Sequence, residues 1–134
     1  MALDAKLTID NRSYSVQDLD YRLSQPTDKG KPAGVTSGGQ INFTVLAAQD
    51  DFTFHEWVLS LVNVKNGEFF LPITEGIEHL VMTLEFEDAY CTDLQVFYSN
   101  ISEKQVYMKI TISATTIYFG PGVVFKNKFL EKDK

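Results

Sequence analysis

The strongest constraint on this chain is the strict two-residue alternation of its last third. Leu80, Met82, Leu84 and Phe86 alternate with Val81, Thr83, Glu85 and Glu87. Leu94, Val96 and Tyr98 then oppose Asp93, Gln95 and Phe97, and Val106, Met108, Ile110, Ile112 and Ala114 oppose Tyr107, Lys109, Thr111 and Ser113. Successive side chains of a strand point to opposite faces, so each run predicts a strand with one buried face. Each fully buried apolar side chain contributes about 1.5–3 kcal/mol, so three such faces can drive a closed core. Open strand edges invite pairing with other chains, which makes closure into a barrel or sandwich the expected outcome.

The first half repeats the period in shorter pieces. Leu7 and Ile9 share a face, and Asp10-Asn11 can turn the chain because Asn tolerates positive φ. Residues 13–25 read as a strand whose apolar parity changes between Val16 and Leu19, which predicts a β-bulge near Gln17-Asp18. Ile41, Phe43 and Val45 alternate with Gln40, Asn42 and Thr44. Between these strands, residues 26–38 hold two prolines, three glycines and two lysines, the composition of a long exposed loop. Loops of that length are uncommon in compact domains and are often functional. Gly120-Pro121-Gly122 ends the pattern, and residues 121–134 read as a tail after a single domain of 1–120.

One segment has a helical period instead. Over 53–63, Phe54, Trp57, Val58, Leu61 and Val62 fall in one arc, so Phe54, Trp57, Val58 and Leu61 are expected to pack the helix on the strands. Thr53 with Glu56 spells a capping box, and Phe52 with Trp57 a hydrophobic staple.

Charge and composition exclude several classes. A net charge of −6 argues against a general nucleic-acid binder, whose phosphate contacts need clustered Lys and Arg. A single cysteine, Cys91, rules out an internal disulfide framework, and a reducing compartment is the default. No secretory signal and no apolar run long enough to span a bilayer are visible, so cytoplasmic synthesis without membrane insertion or an ordinary export address is expected. His55 and His79 lack a cysteine cluster for zinc, and the glycines of 30–39 lack a phosphate-loop ending. Glu85 and Glu87 are spaced about 6.6–6.8 Å along a strand face, a separation paired-carboxylate hydrolysis could use, but a solvated strand face is the favoured reading because charged residues are normally exposed. No metal, cofactor or catalytic constellation is expected.

The order of several short stretches is familiar. Residues 5–10 (Ala-Lys-Leu-Thr-Ile-Asp), the loop from Lys31-Pro32-Ala33-Gly34-Val35 to Gly38-Gly39, and Asp50-Asp51 leading to Glu56-Trp57 come first. Leu84-Glu85-Phe86-Glu87-Asp88-Ala89-Tyr90 and Ile110-Thr111-Ile112-Ser113-Ala114 follow. Across roughly Leu3 to Phe119 the chain resembles the tube protein of type VI secretion systems, hemolysin-coregulated protein (Hcp, TssD). That resemblance implies a mainly β fold, a β-barrel of two packed antiparallel sheets with one flanking α-helix. It also implies homohexameric rings stacked into a tube inside a contractile sheath. Such a tube carries effectors, is fired with a spike, and leaves the cell through the apparatus without a signal peptide. The family has no catalytic residues to carry over.

A ring needs a contact between unlike patches of identical copies. Leu59, alone on the polar side of the helix, and Phe97 and Tyr107, on nominally polar strand faces, are the expected subunit contacts. The loop 26–38 is expected to reach an adjacent ring, with Asp28, Lys29 and Lys31 pairing across the stack. Two other readings compete: a monomeric barrel binding a small apolar ligand inside, and a related phage or contractile-injection tail tube.

Overall fold

The computed structural model describes residues 4–34, 36–47, 50–75, 78–98, 100 and 105–127, without the side chains of Glu75, Glu78 and His79. In chain order the elements are β1 (Lys6–Ile9), β2 (Arg12–Tyr21), β3 (Thr27–Asp28), β4 (Lys31–Pro32), β5 (Gln40–Leu46), α1 (Thr53–Leu59), β6 (Lys65–Glu75), β7 (Glu78–Tyr98), β8 (Val106–Gly120) and β9 (Val123–Lys126).

Asp10 and Asn11, at φ 52° and 62°, turn β1 tightly into β2, with Ile9 opposite Arg12. Two consecutive positive-φ residues match the right-handed twist of a hairpin. All pairings are antiparallel, in the order β5-β2-β1-β6-β7-β8-β9, and an additional β5–β8 pairing closes the sheet on itself. The two packed layers are therefore opposite walls of one continuous barrel. Closure satisfies the backbone groups that an open sheet would expose. The expected bulge is present, as a register shift between Val16 and Asp18. The long β7 pairs with β6 over residues 78–89 and with β8 over residues 85–98, and the β8 pairing has its own register shift between Cys91 and Asp93.

The interior is full. Leu7, Ile41, Phe43, Val45, Phe69, Leu84, Phe86, Met108, Ile110 and Ile112 point inward and are buried. Phe43 meets Phe69 at 5.1 Å between ring centroids, and Phe69 meets Phe86 at 5.7 Å, so aromatic rings cross the barrel from β5 to β7. A small barrel filled by its own side chains leaves no room for a ligand. The grooves found among the described residues are open ones at the surface. Among the described residues, core side chains and not a cavity occupy the inside of the barrel.

The helix lies across the barrel. Phe54 sits edge-on to Tyr14 of β2 and Phe43 of β5, and the Trp57 indole N–H donates to the Ala89 carbonyl of β7 at 3.1 Å. Val58 is partly buried against the core. Leu61 departs from the sequence expectation: the helix ends at Leu59, not at residue 63, and Leu61 is 94% exposed. Ser60 is the physical reason. It takes an extended conformation, and its Oγ accepts from the Val62 and Asn63 amides, offering the backbone a local alternative to another helical turn.

The start of the helix is also built differently. Phe52 is the N-cap and makes no side-chain cap bond, and at 59% exposed it is no staple for the buried Trp57. Asp51 takes over that role: its Oδ1 accepts from the Thr53 amide at 3.0 Å and the Thr53 hydroxyl at 2.6 Å. A carboxylate satisfies the orphan donor better than a hydroxyl, because the bond is charge-assisted.

Two further segments differ from expectation. Residues 123–126 belong to the barrel, not to a tail, because β9 pairs with β8 and buries Phe125. The segment 26–38 contains a small hairpin, β3–β4, turned by Lys29 and Gly30 at φ 53° and 81°. The turn read at Gly76, most of that at 99–104, and residues 128–134 lie outside the described residues.

Candidate functional site

The outer faces of the barrel carry three kinds of surface. The first is a polar wall over β2, β5, β8 and the second half of β7. Asp20, Asn42, Thr111 and Asp93 stand in one cross-strand row. Asn42 Nδ2 donates to Asp20 Oδ1 at 2.9 Å, and the Thr111 hydroxyl donates to Asn42 Oδ1 at 2.7 Å. Gln40, Ser113, Lys109 and Asp18 extend this wall along the same strands. Sheets that need only one buried face alternate apolar-in and polar-out, and this wall follows that rule closely. Phe97 and Tyr107 stack at its rim at 5.4 Å, with the Lys109 ammonium 5.7 Å from the Phe97 ring.

The second surface is acidic. Thr8, Glu68, Glu85 and Tyr118 form a row across β1, β6, β7 and β8. Glu68 and Glu85 face each other directly. Desolvation first, then the hydrogen bond and charge of Glu85, raise the Glu68 carboxyl above its usual value. Tyr118 donates to Glu87 Oε1 at 2.8 Å, and that bond, followed by desolvation, raises the phenol. Glu85 and Glu87 are exposed, as a solvated strand face requires. No group of His, Cys, Asp and Glu suited to a metal occurs among the described residues.

The third surface is apolar. Leu59 is 83% exposed and stands with Leu61, Val62 and Val64 in the turn after α1. Asp28, Lys29 and Lys31 are all exposed on the β3–β4 hairpin, with Asp28 opposite Lys31 in register. The six residues expected at subunit contacts thus occupy three places: the hairpin, the turn after α1 and the rim of the polar wall. Sequence reasoning missed Leu61 and Val62 as surface residues, because their helical spacing reads as a buried face; Val64 lies beyond the expected helix.

A closed antiparallel barrel crossed by one helix, with an exposed hairpin after β2, is an arrangement that can be compared with known proteins. The family model for hemolysin coregulated protein Hcp (TssD) matches residues 1–129. The chain belongs to the Hcp (TssD) family. Members of this family are type VI secretion tube proteins, structural subunits in kind. Hcp1 from Flavobacterium johnsoniae is 28% identical, superimposes with a TM-score of 0.79, and is matched over 93% of this chain and 100% of its own. Hcp1 from the E. coli EAEC 042 pathovar matches at 13% identity and TM-score 0.69, over 94% and 98% of the two chains. Secreted protein Hcp3 from Pseudomonas aeruginosa matches at 11% identity and TM-score 0.65, over 94% and 97%. The last two show the Hcp fold alone. No curated protein sequence matches the chain. Among the described residues, no helix is long and apolar enough to cross a membrane.

Proposed function

We propose that copies of this Hcp-family chain close into homohexameric rings that stack into the inner tube of a type VI secretion system. The observation that carries this reading is the division of the barrel exterior. One wall is polar except for the Phe97–Tyr107 pair at its rim and is internally hydrogen-bonded from Asp20 through Asn42 to Thr111, while large aliphatic side chains are exposed elsewhere, beyond α1. A polar wall suits a water-filled lumen through which effectors pass without sticking. Exposed apolar patches suit contacts between identical copies. Leu59, Phe97 and Tyr107 are the proposed contacts within a ring. Asp28, Lys29 and Lys31, on the projecting hairpin, are the proposed contacts between rings. The sheath, the spike and the effectors are the proposed partners, with assembly in the cytoplasm and export through the apparatus itself.

Electron micrographs of the purified protein, with light scattering for mass, test the reading. Annular particles with sixfold averages and a hexamer mass support it. A monomer at all concentrations, with no annuli, overturns it.

A further inference from the structure

We propose that the aliphatic turn after α1 of one copy seats in the groove beside the start of α1 of the next, a head-to-tail contact between two copies of this chain. The inference rests on the ring reading and names which unlike patches meet.

Within six consecutive residues, Leu59, Leu61, Val62 and Val64 are 83%, 94%, 78% and 40% exposed. Together they present on the order of 500 Å² of aliphatic surface, against about 800 Å² per partner in a standard interface. The turn is built in advance: Ser60 Oγ holds the Val62 and Asn63 amides, so little ordering entropy is lost on docking. Water is a poor solvent for such a ridge, and nothing in its own copy covers it among the described residues.

The same chain carries a matching recess. An open groove of about 540 Å³ has an apolar side of Leu46, Ala47, Phe52, Val96, Val106 and Met108 and a polar side of Asp50, Asp51, His55 and Gln105. Phe52 and Val96 are 59% and 44% exposed, so apolar surface faces apolar surface when the ridge enters. His55 Nδ1 is shut off from solvent and has no hydrogen-bond partner among the described residues. Because that atom is already closed over within its own copy, the groove receives the ridge through its apolar lining rather than through this nitrogen.

Ridge and groove lie at opposite ends of the seven-residue α1, and no ridge residue lines the groove. Among the described residues the ridge of one copy does not reach its own groove, so the contact joins two different patches. Contacts of that type propagate head to tail and close into a ring when the rotation permits.

The test is cross-linking between Leu61→Cys and Val96→Cys with a short bismaleimide. Both sites are exposed, so the variants fold, which a thermal melt confirms, and the buried Cys91 does not compete. The double variant is expected to give a ladder of covalent oligomers on denaturing gels, an equimolar mixture of the single variants only dimers, and each single variant alone only monomers. In parallel, Leu61→Asp is expected to raise the concentration at which annuli appear by at least about tenfold. Annuli without a ladder overturn this contact and leave the ring reading standing. Dimers of Leu61→Cys alone overturn it in favour of a ridge-to-ridge contact. A ladder without annuli keeps the contact and removes ring closure, and the absence of both removes the two together.

Discussion

The Tyr14 hydroxyl donates to Asp51 Oδ2 at 2.7 Å, tying the second strand of the barrel to the carboxylate that holds the first residue of the helix. The opposite carboxylate oxygen takes Arg12 at 3.0 Å together with the amide and hydroxyl of Thr53. Burial by itself raises this carboxyl, but the bonds from Thr53 and Tyr14 and the charge of Arg12 outweigh it, and the pKa falls to about 2. Burial, foremost, raises the Tyr14 phenol, and the charge of Asp51, foremost, raises the Arg12 guanidinium.

Acid sensitivity follows from that depressed carboxyl. The unfolded value is about 3.9, so the stabilisation is complete above it and is lost as pH falls through about 2. It amounts to about 1–2 kcal/mol once the solvent screening of the exposed Arg12 is allowed for. Asp51→Ala is expected to lower stability at pH 7 by about 2–3 kcal/mol, because it orphans several donors at once. Its deficit relative to the parent should shrink as pH drops from 5 to 2. Urea melts at each pH check this, and a pH-independent deficit would contradict it.

Trp57 is the only tryptophan, buried, with its N–H on Ala89 O and the Lys65 ammonium 6.0 Å from its ring. Lys65 is in turn paired with Asp10. Trp57→Phe removes the bond and some volume and is expected to cost about 1–3 kcal/mol. Circular dichroism melts measure that cost. In the parent, tryptophan emission should shift to the red in the same transition that β-sheet ellipticity is lost.

Two glycines separate close packing from backbone conformation. A Cβ on Gly67 would lie 2.6 Å from Phe86 Cζ and 2.9 Å from both Ile9 Cγ1 and the Thr8 carbonyl. Gly67→Ala should therefore cost about 1–3 kcal/mol through overpacking. At Gly30, φ is +81° and nothing lies within 4 Å of a new Cβ. Gly30→Ala puts about 1–2 kcal/mol of left-handed strain into an exposed two-stranded hairpin that can open locally, so it should lower the melting temperature less than Gly67→Ala does. Equal effects on the melting temperature would contradict the distinction.

Where side-chain period and burial coincide, the sequence was a sufficient guide. Ile41, Phe43 and Val45 are inside as their alternation requires, and the change of parity after Val16 marks a real bulge. The end of α1 was not legible, because Leu61 and Val62 continue the helical arc while the Ser60 hydroxyl competes for the backbone. β9 was missed because three apolar residues after Pro121-Gly122 carry too little period to stand out; pairing with β8 makes the strand. The hairpin in 26–38 was hidden by its composition, although Lys29-Gly30 is a turn pair with both residues at positive φ. The polar wall was visible only as alternation. Its cross-strand row of Asp20, Asn42 and Thr111 depends on register, which no single strand encodes.

Cys91 points into the barrel, and burial, foremost, raises its thiol to about 11. At pH 8 the thiolate fraction is then on the order of one in a thousand, far below that of a free cysteine. Labelling by a thiol-specific disulfide reagent is expected to be at least about a hundredfold slower in the folded protein than in denaturant. The same slow rate should hold in any assembled form, because the thiol is sealed by its own subunit.

The hairpin gives the last expectation. Asp28 and Lys31 face each other in register, and Lys29 occupies the turn between them, all exposed. An isolated exposed pair contributes little to the stability of its own chain, about 0–1 kcal/mol. Lys29→Glu with Lys31→Glu should therefore leave the melting temperature of the chain nearly unchanged. The same double variant reverses the charge presented to an adjacent ring. If the hairpin makes the contact between rings, annuli should still form while stacked tubes shorten, with added salt narrowing the difference because exposed charges are screened. Particle lengths in micrographs at low and high salt measure this. Tubes of unchanged length at both would remove the hairpin from the stacking contact.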